Sequence, residues 1–268
     1  MDKKDYIGVF DSGIGGLTVV SSLISGLPNE NIVYFGDTAH VPYGTKSKRQ
    51  IMEYVLKDVE FLDTFNIKAI IIACNTADSI AREKVKELYD VPVFGVVYPA
   101  SKTAARTTEN GKVGVIATKA TINSKAYNKA IAAYDDSIQV FGQACPMLVP
   151  LVENRKIEVG DVVVETILRE YLEPLIEQDI DTLILGCTHY PLLSGVIKSL
   201  YPHLHIISSS GAAARHIKVS LGEQGLLNEK EGGEHLFFVS DDAEGFEAQA
   251  RIFMGDNLVT DVKQINLD

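Results

Sequence analysis

Short apolar segments rich in β-branched residues alternate along most of the chain with longer segments in which apolar residues recur at helical period. This alternation is typical of an α/β protein with mainly parallel sheets. Segments 47–65 and 161–176 each keep their apolar residues on one face, so both are predicted helices, and Pro174 is expected to kink or end the second. The predicted strands are "YIGVF", "NIVYFGD", "KAIIIAC", "VPVFGVV", "KVGVIAT", "IQVFGQ", "DTLILGC" and "LHIISS".

One combination of strand and polar residues occurs twice in the chain. In "IIIACNTAD", residues 70–78, and in "LILGCTHYP", residues 183–191, an apolar run is followed by a cysteine and by polar residues that include threonine. We interpret the repetition as two similar α/β lobes. Each lobe would contribute one thiol, Cys74 or Cys187, to a shared cleft.

The chain offers two places at which it could pass between such lobes. A change of lobe is expected near "GVVYPASK", residues 95–102, and a return near "SSSGAAA", residues 208–214. Neither stretch is rich in Pro, Gly and Ser as a free linker would be. These points predict a discontinuous first lobe, 1–97 plus 211–268, and a second lobe, 98–210.

Both cysteines of the repeated motif follow a predicted strand and precede a predicted helix, which is where α/β sheets meet their ligands. A helix N-terminus stabilises thiolate, so we expect the thiol pKa values to fall from about 8.5 toward neutrality. The alternative is a small apolar residue that ends a buried strand. Cys145 in "GQACPML" has no matching partner and is interpreted as structural. Hydrogen-bond donors adjoin both thiols of the repeat: Asn75, Thr76, Thr188 and His189.

Two other polar segments follow predicted strands. In "IGVFDSGIGGL" the residues Asp11 and Ser12 precede glycines whose spacing fits neither a dinucleotide fingerprint nor a Walker A motif. Asp11 is interpreted either as a helix cap or as a carboxylate that orients a substrate ammonium or tunes a thiol. In "GDTAHVPYGTKS" the residues Tyr43 and Gly44 could reach into a cleft or belong to an ordinary surface turn.

Composition and charge exclude several classes of protein. The 268 residues are 46% hydrophobic and 23% charged, as in an ordinary globular protein, and no apolar run approaches the roughly 20 residues of a membrane span. A net charge of −11 argues against nucleic acid or an anionic membrane as partner. Three dispersed cysteines predict neither a disulfide framework nor a zinc site. The first residues, "MDKKDYIGVF", lack the apolar segment of a signal peptide, so a cytoplasmic protein is expected.

Five motifs in this order, "FDSGIGG", "GDTAHVPYG", "ACNTA", "CPMLVPLVE" and "GCTHYP", resemble those of the glutamate racemases in the aspartate/glutamate racemase superfamily. The resemblance runs from about residue 7 to residue 220. It implies two α/β lobes related by pseudo-twofold symmetry, with the active site between them. It also implies a homodimeric enzyme that binds glutamate, needs no cofactor or metal, and makes D-glutamate for peptidoglycan.

The same resemblance implies roles for individual residues. Cys74 and Cys187 match the two proton-transfer groups, Asp11 assists near Cys74, His189 assists near Cys187, and Glu153 matches a further acidic residue of the site. The chain departs from many relatives in "SSSG", residues 208–211, where they carry an aspartate before Ser-Gly. The residues that match substrate contacts are Asp11, Ser12, Tyr43, Gly44, Asn75, Thr76, Thr118, Thr121, Thr188 and His189.

Other functions stay open at this point. Glu153 and His189 each lie alone beside apolar sequence, where a structural role is also possible. A cysteine hydrolase or thiol redox protein would use one cysteine as nucleophile and His189 as base, which explains half of the repeated pattern. A two-lobed amino-acid-binding protein would need neither thiol, and aspartate racemase is the nearest rival within the superfamily. Inversion of an α-carbon, however, calls for one acid–base group on each face, which two matched thiols supply.

Overall fold

The computed structural model describes residues 1–255 and 261–267, and within them the chain forms two β-sheets flanked by helices. The first sheet has the strand order β10-β9-β2-β1-β3-β4 and the second has the order β6-β5-β7-β8, and all of these pairings are parallel. In chain order the strands are β1 (Tyr6–Asp11), β2 (Ile32–Gly36), β3 (Ile67–Ile72), β4 (Val93–Gly95), β5 (Lys112–Ala117), β6 (Gln139–Ala144), β7 (Thr182–Gly186), β8 (His205–Ser208), β9 (His235–Val239) and β10 (Lys263–Gln264).

Parallel neighbours require the chain to cross a face of the sheet between strands, and helices make most of these crossings. The helices of the described residues are α1 (Leu17–Gly26), α2 (Lys48–Asp63), α3 (Asn75–Leu88), α4 (Val97–Thr107), α5 (Lys119–Ser124), α6 (Ala126–Ala132), α7 (Leu148–Glu153), α8 (Val162–Ile176), α9 (Ser194–Leu200), α10 (Ser209–Glu223) and α11 (Ala243–Met254). None of the helices in residues 1–255 and 261–267 has the length and apolar character that crossing a membrane demands.

Helix α2 shows how the local sequence fixes an element. Ser47 and Gln50 form a capping box, in which each side chain bonds the other residue's main chain. The buried residues at helical spacing then face the sheet, and they include Asp58 beside Val55 and Leu62. An acidic residue on the apolar face of a helix departs from the usual pattern and indicates a polar contact inside the lobe.

The prediction of an α/β fold with two mainly parallel sheets is confirmed. The eight predicted strands are β1 to β8, and the predicted helices 47–65 and 161–176 correspond to α2 and α8. Helix α8 extends two residues beyond Pro174, to Ile176. Strands β9 and β10 were not predicted from the sequence. Their place is set by long-range pairing, since β9 lies beside β2 at the side of the first sheet away from β1.

The chain enters the second sheet through α4 and leaves it through α10, so β1 to β4 and β9 to β10 share the first sheet. The division into 1–97 plus 211–268 and 98–210 stays a prediction, and its residues 256–260 and 268 lie outside the described residues. One buried apolar cluster contains residues from both sheets, including Tyr34 and Ile71 from the first and Leu183 and Leu185 from the second. The two sheets therefore share a core.

Candidate active site

The carboxyl ends of strands from both sheets converge on one polar region. Asp11 ends β1, Cys74 follows β3, Thr118 follows β5 and Cys187 follows β7. Both thiols are almost fully buried, with 6% of Cys74 and 7% of Cys187 exposed. They lie close enough for negative charge on Cys187 to raise the pKa of Cys74. The structure thus brings together the two cysteines that the sequence repeat singled out.

Cys74 is the N-cap residue of α3, and its Sγ lies 3.5 Å from the Ser12 hydroxyl oxygen. Burial, followed by the charge of Asp11, raises the pKa of Cys74 to about 12, although the Ser12 hydroxyl and the Ala77 amide act in the opposite direction. The expectation of a thiol pKa lowered toward neutrality is therefore wrong for Cys74. Loss of solvation and a neighbouring carboxylate outweigh the helix N-terminus at this position.

Asp11 is buried beside this thiol and accepts a hydrogen bond from the Gly13 amide through Oδ2 at 3.1 Å. Its other oxygen, Oδ1, is also buried and has no hydrogen-bond partner among the described residues. Burial raises the pKa of Asp11, while the charge of His189 and main-chain amides lower it. An unpartnered buried carboxylate oxygen can accept a hydrogen bond from an ammonium group or hold a proton.

His189 stands between the second thiol and an acid. Its Nδ1 lies 4.0 Å from Cys187 Sγ, and its Nε2 lies 3.0 Å from Glu153 Oε1. Burial lowers the pKa of His189. Hydrogen bonds to Cys187 and Glu153, together with the charges of these two groups, outweigh burial and raise the pKa to about 10. The Phe253 ring also packs against the imidazole ring in a T-shaped arrangement, with centroids 5.2 Å apart. Negative charge on Cys187 and Glu153 therefore favours the protonated imidazole, which can donate toward Cys187.

The motif after Cys187 differs from the predicted strand–cysteine–helix unit. A 3₁₀ turn, Tyr190–Leu193, precedes α9. The N-cap residue of this 3₁₀ turn is His189 rather than the cysteine. Contacts from the first lobe fix this segment: the Thr18 hydroxyl contacts the Thr188 carbonyl oxygen at 2.9 Å. Gly15 packs so closely that a Cβ atom there would lie 2.3 Å from Thr188 Oγ1 and 2.4 Å from His189 Nδ1.

Three threonine hydroxyls meet at the junction of the two sheets. Thr76 Oγ1 lies 2.9 Å from Thr118 Oγ1 and 3.3 Å from Thr121 Oγ1, and the latter two are 3.0 Å apart. Thr76 belongs to α3, which follows the first sheet, whereas Thr118 caps α5 in the second. A cluster of hydroxyl donors at this place can bind a carboxylate.

Asn75 is held from the other lobe as well. The Tyr127 hydroxyl donates to Asn75 Oδ1 at 2.6 Å, and Asn75 Nδ2 donates to the Ser209 hydroxyl at 3.4 Å. Ser209 lies in the segment 208–210, where the family resemblance leads to the expectation of an aspartate before Ser-Gly. Ser208 caps α10 by accepting from the Gly211 amide, so serine performs a capping role at this position.

Tyr43 and Gly44 lie in a 3₁₀ turn between β2 and α2. The Tyr43 ring is buried, and its hydroxyl contacts Asp37 and Asp58. A Cβ atom on Gly44 would lie 2.9 Å from Thr118 Cβ, so the main chain of the turn adjoins the threonine cluster. With the Tyr43 ring buried, a substrate contact from Tyr43 or Gly44 would come from their main chain, and the predicted contact stays a prediction.

Two further observations concern metal binding and the third cysteine. Within residues 1–255 and 261–267, no group of three or more His, Cys, Asp or Glu side chains is placed to hold a metal ion. Cys145 is buried, and its thiol lies 3.6 Å from the Gln143 carbonyl oxygen. Cys145 belongs to the same buried apolar cluster as Cys187, and the structural interpretation of Cys145 stays a prediction.

The sequence did not single out Tyr127, Asp37 or Asp58. Asp58 carried a signal, because it lies three residues after Val55 and four before Leu62, on the apolar face of its helix. Tyr127 carried none, since a tyrosine in a short helix is ordinary and its contact with Asn75 exists only once the lobes meet.

Comparison with known proteins identifies the family of this chain. Residues 8–217 match the family described as Asp/Glu/Hydantoin racemase. A glutamate racemase from Sulfurihydrogenibium sp. (strain YO3AOP1) is 43% identical over 251 residues, which cover 93% of this chain and 94% of that protein. The crystal structure of glutamate racemase isoform RacE1 from Bacillus anthracis is 40% identical, with a TM-score of 0.94 over 99% of this chain and 98% of that one. The glutamate racemase from Francisella tularensis subsp. tularensis SCHU S4, solved with D-glutamate, is 38% identical, with a TM-score of 0.92 over 99% of each chain.

These matches extend over nearly the whole chain, and their identities exceed 30%. The chain therefore belongs to the Asp/Glu/Hydantoin racemase family and is an amino-acid racemase. An aspartate racemase from Picrophilus torridus is 19% identical, with a TM-score of 0.57 over 84% of this chain and 99% of that one, a likeness that concerns the fold alone.

Proposed function

We propose that this chain interconverts L- and D-glutamate without a cofactor and supplies D-glutamate for peptidoglycan synthesis. The relatives support glutamate as substrate, because the Francisella tularensis enzyme was solved with D-glutamate and the Escherichia coli glutamate racemase with L-glutamate and the activator UDP-MurNAc-ala. The observation that carries the proposal is the pair of buried thiols, each at a strand end and each with its own titratable neighbour. Asp11 adjoins Cys74 and His189 adjoins Cys187.

The two thiols would act on opposite faces of the α-carbon. One thiolate removes the α-proton and becomes a thiol, while the opposite thiol donates its proton to the other face and becomes a thiolate. The proton count of the enzyme is unchanged over the step. Protonated His189 stabilises negative charge on Cys187 during the transfer. The substrate ammonium, placed at Asp11 Oδ1, supplies positive charge near Cys74, whose pKa is otherwise raised by burial.

The substrate carboxylates would bind the hydroxyl and amide donors around the thiols. The threonine cluster, formed by Thr76, Thr118 and Thr121, and the amide of Asn75 lie beside Cys74, and Thr188 lies beside Cys187. Donors already held in place stabilise the charge that develops on the α-carboxylate as the carbanion forms. This arrangement replaces the electron sink that a cofactor would supply.

The second buried thiol favours a racemase over the hydrolase alternative. A cysteine hydrolase needs one thiol and one histidine, and a thiolate beside a protonated histidine would suit that chemistry as well. Cys74, buried beside Asp11, has no role in such a reaction. Proton transfer on both faces of an α-carbon uses both thiols.

The organisation of the protein belongs to the same proposal. The first lobe comprises 1–97 plus 211–268 and the second 98–210, and the enzyme acts in the cytoplasm as a homodimer. The sequence motifs that resemble those of glutamate racemases imply this organisation. Sedimentation of the purified protein measures the number of subunits.

The substrate is tested by incubating purified protein with L-glutamate or L-aspartate and measuring the D-isomer, before and after dialysis against a chelator. We expect turnover of glutamate far above that of aspartate, unchanged by dialysis and with no added pyridoxal phosphate or nicotinamide. Preferential turnover of aspartate would contradict the proposed substrate, and a covalent acyl or mixed-disulfide intermediate would contradict the proposed chemistry.

A further inference from the structure

The turn that carries Tyr43 rests on two buried carboxylates. Tyr43 Oη lies 2.5 Å from Asp37 Oδ2 and 3.0 Å from Asp58 Oδ2. Asp37 is 2% exposed and Asp58 is 1% exposed. Two acidic groups that share one phenol inside a protein cannot both be charged without a large cost, because burial and mutual repulsion both oppose it.

Asp37 has more hydrogen-bonding side chains around it than Asp58 has. His40 Nδ1 lies 2.8 Å from its Oδ1, and the Ser240 hydroxyl donates to the same oxygen at 2.9 Å. With Tyr43, three side-chain groups capable of donating surround this carboxylate. Hydrogen bonds of this kind favour the charged form of an acid.

The surroundings of Asp58 favour its neutral form instead. Burial, followed by the charge of Asp37, raises the pKa of Asp58 well above its usual value, although the Tyr43 hydroxyl and Lys57 lower it in part. A phenol has one proton to donate, and the shorter of its two contacts is to Asp37. The longer contact is then satisfied when a protonated Asp58 donates to Tyr43 Oη.

The main chain of the turn that carries Tyr43 also adjoins residues of the candidate active site. The main chain of Gly44 packs on Thr118, and a Cβ atom on Gly13 would lie 2.8 Å from Val41 Cγ1. Segment 41–44 therefore lies between the glycine turn that follows Asp11 and the threonine cluster. The position of the Tyr43 ring fixes the main chain at this edge of the site.

We propose that Asp37 and Asp58 are positioning residues with unlike protonation. A charged Asp37 and a neutral Asp58 hold the Tyr43 hydroxyl from two sides, and they thereby place the main chain of residues 42–44 at the edge of the active site. That this edge binds glutamate rests on the proposed function. The different protonation of the two acids and their contacts with the turn are independent of the proposed function.

The test uses one chemical change at two positions, with a third as control. Asp58→Asn keeps a neutral donor facing Tyr43, so we expect nearly unchanged kinetics and hydrogen exchange in segment 41–46. Asp37→Asn replaces the charged acceptor with an amide, so we expect KM for glutamate to rise about tenfold, kcat to change less, and exchange in 41–46 to accelerate. Asp63→Asn, at the exposed end of the same helix, is the control.

Asp58→Ala removes the donor and should resemble Asp37→Asn in KM and in exchange. Equal damage from Asp58→Asn and Asp37→Asn would overturn the assignment of the proton to Asp58. Wild-type exchange and KM in both Asp37→Asn and Asp58→Ala would overturn the positioning role. Hydrogen exchange of the full-length protein decides these outcomes even if wild type proves inactive on glutamate, in which case the proposed function fails separately.

Discussion

The carboxylate of Glu153 lies 3.0 Å from His189 Nε2, on the side of the ring away from the nitrogen that faces Cys187. Glu153 ends α7, and 40% of its side chain is exposed. It contributes to the raised pKa of His189 by a hydrogen bond and by its charge. In this account Glu153 is a positioning residue that acts through His189, whereas His189 acts on Cys187.

Glu153→Gln should shift the pH dependence of catalysis. The neutral amide no longer favours the imidazolium, so the pKa of His189 falls from about 10 and the alkaline limb of kcat/KM moves to lower pH. Because Glu153 is partly exposed, we expect a displacement of about one pH unit. Glu158→Gln, at another exposed acid near the end of α7, should leave the limb in place. An unmoved limb in Glu153→Gln would refute the coupling.

The protonation of His189 also predicts a dependence of stability on pH. The pKa of His189 is raised in the folded protein above its usual 6.5, so its contribution to stability is fully present below pH 6.5 and is lost as pH rises through about 10. Thermal unfolding of wild type should therefore lose more stability between these pH values than unfolding of His189→Asn. Parallel melting curves for the two proteins across this window would show that His189 is not protonated as described.

His189→Asn should also slow catalysis more than it destabilises the fold, because the ring contacts a proposed proton-transfer group. Kinetics measured beside thermal melts separate the two effects. A variant that unfolds readily but keeps wild-type kcat while folded would assign His189 to structure alone.

Cys74→Ser and Cys187→Ser should each lose nearly all racemisation and stay folded. A hydroxyl is a far weaker acid than a thiol, so serine cannot exchange a proton with the α-carbon at a useful rate. Cys145→Ser provides a matched control, because this cysteine is also buried but its thiol contacts the Gln143 carbonyl oxygen instead of a titratable side chain. Racemisation should survive in that variant, and full activity of either Cys74→Ser or Cys187→Ser would end the two-thiol account.

Gly15→Ala tests the contact between the lobes at the second thiol. The added methyl would lie within 2.5 Å of Thr188 and His189 atoms, so the segment after Cys187 must move. A displacement near 1 Å beside a reacting group can lower kcat/KM by about 100-fold. Gly26→Ala, where a Cβ atom would meet nothing within 4 Å, should be neutral. Equal kinetics in the two variants would show that this contact does not position His189.

Much of the fold was predictable because the spacing of apolar residues along the chain is a local property of the sequence. Strand β3 has six buried residues, of which residues 69–72 form an unbroken apolar run, and α2 begins at a capping box, so both elements are visible in the sequence. Strand β9 was missed because its position depends on pairing with β2, which is distant in sequence. The two cysteines were found because each closely follows a buried strand.

The parts of the site that were not predictable depend on tertiary contacts. The raised pKa of Cys74 follows from burial beside Asp11, and neither the burial nor the distance is encoded in the motif around the cysteine. Tyr127 reaches Asn75 from the other lobe, so its hydroxyl has no local signal. Asp58 is the exception, since its place on an apolar helix face is a sequence feature.

The central claim is that Cys74 and Cys187 act on opposite faces of the same carbon, and the fate of the α-proton tests it most directly. L-glutamate is incubated with the enzyme in deuterium oxide, and both isomers are examined at early times. The account predicts D-glutamate that carries deuterium at the α-carbon beside remaining L-glutamate that still carries protium, with the labelling reversed when the reaction starts from D-glutamate. Substantial protium in the early D-glutamate would show that a single group returns the abstracted proton, and it would contradict the account.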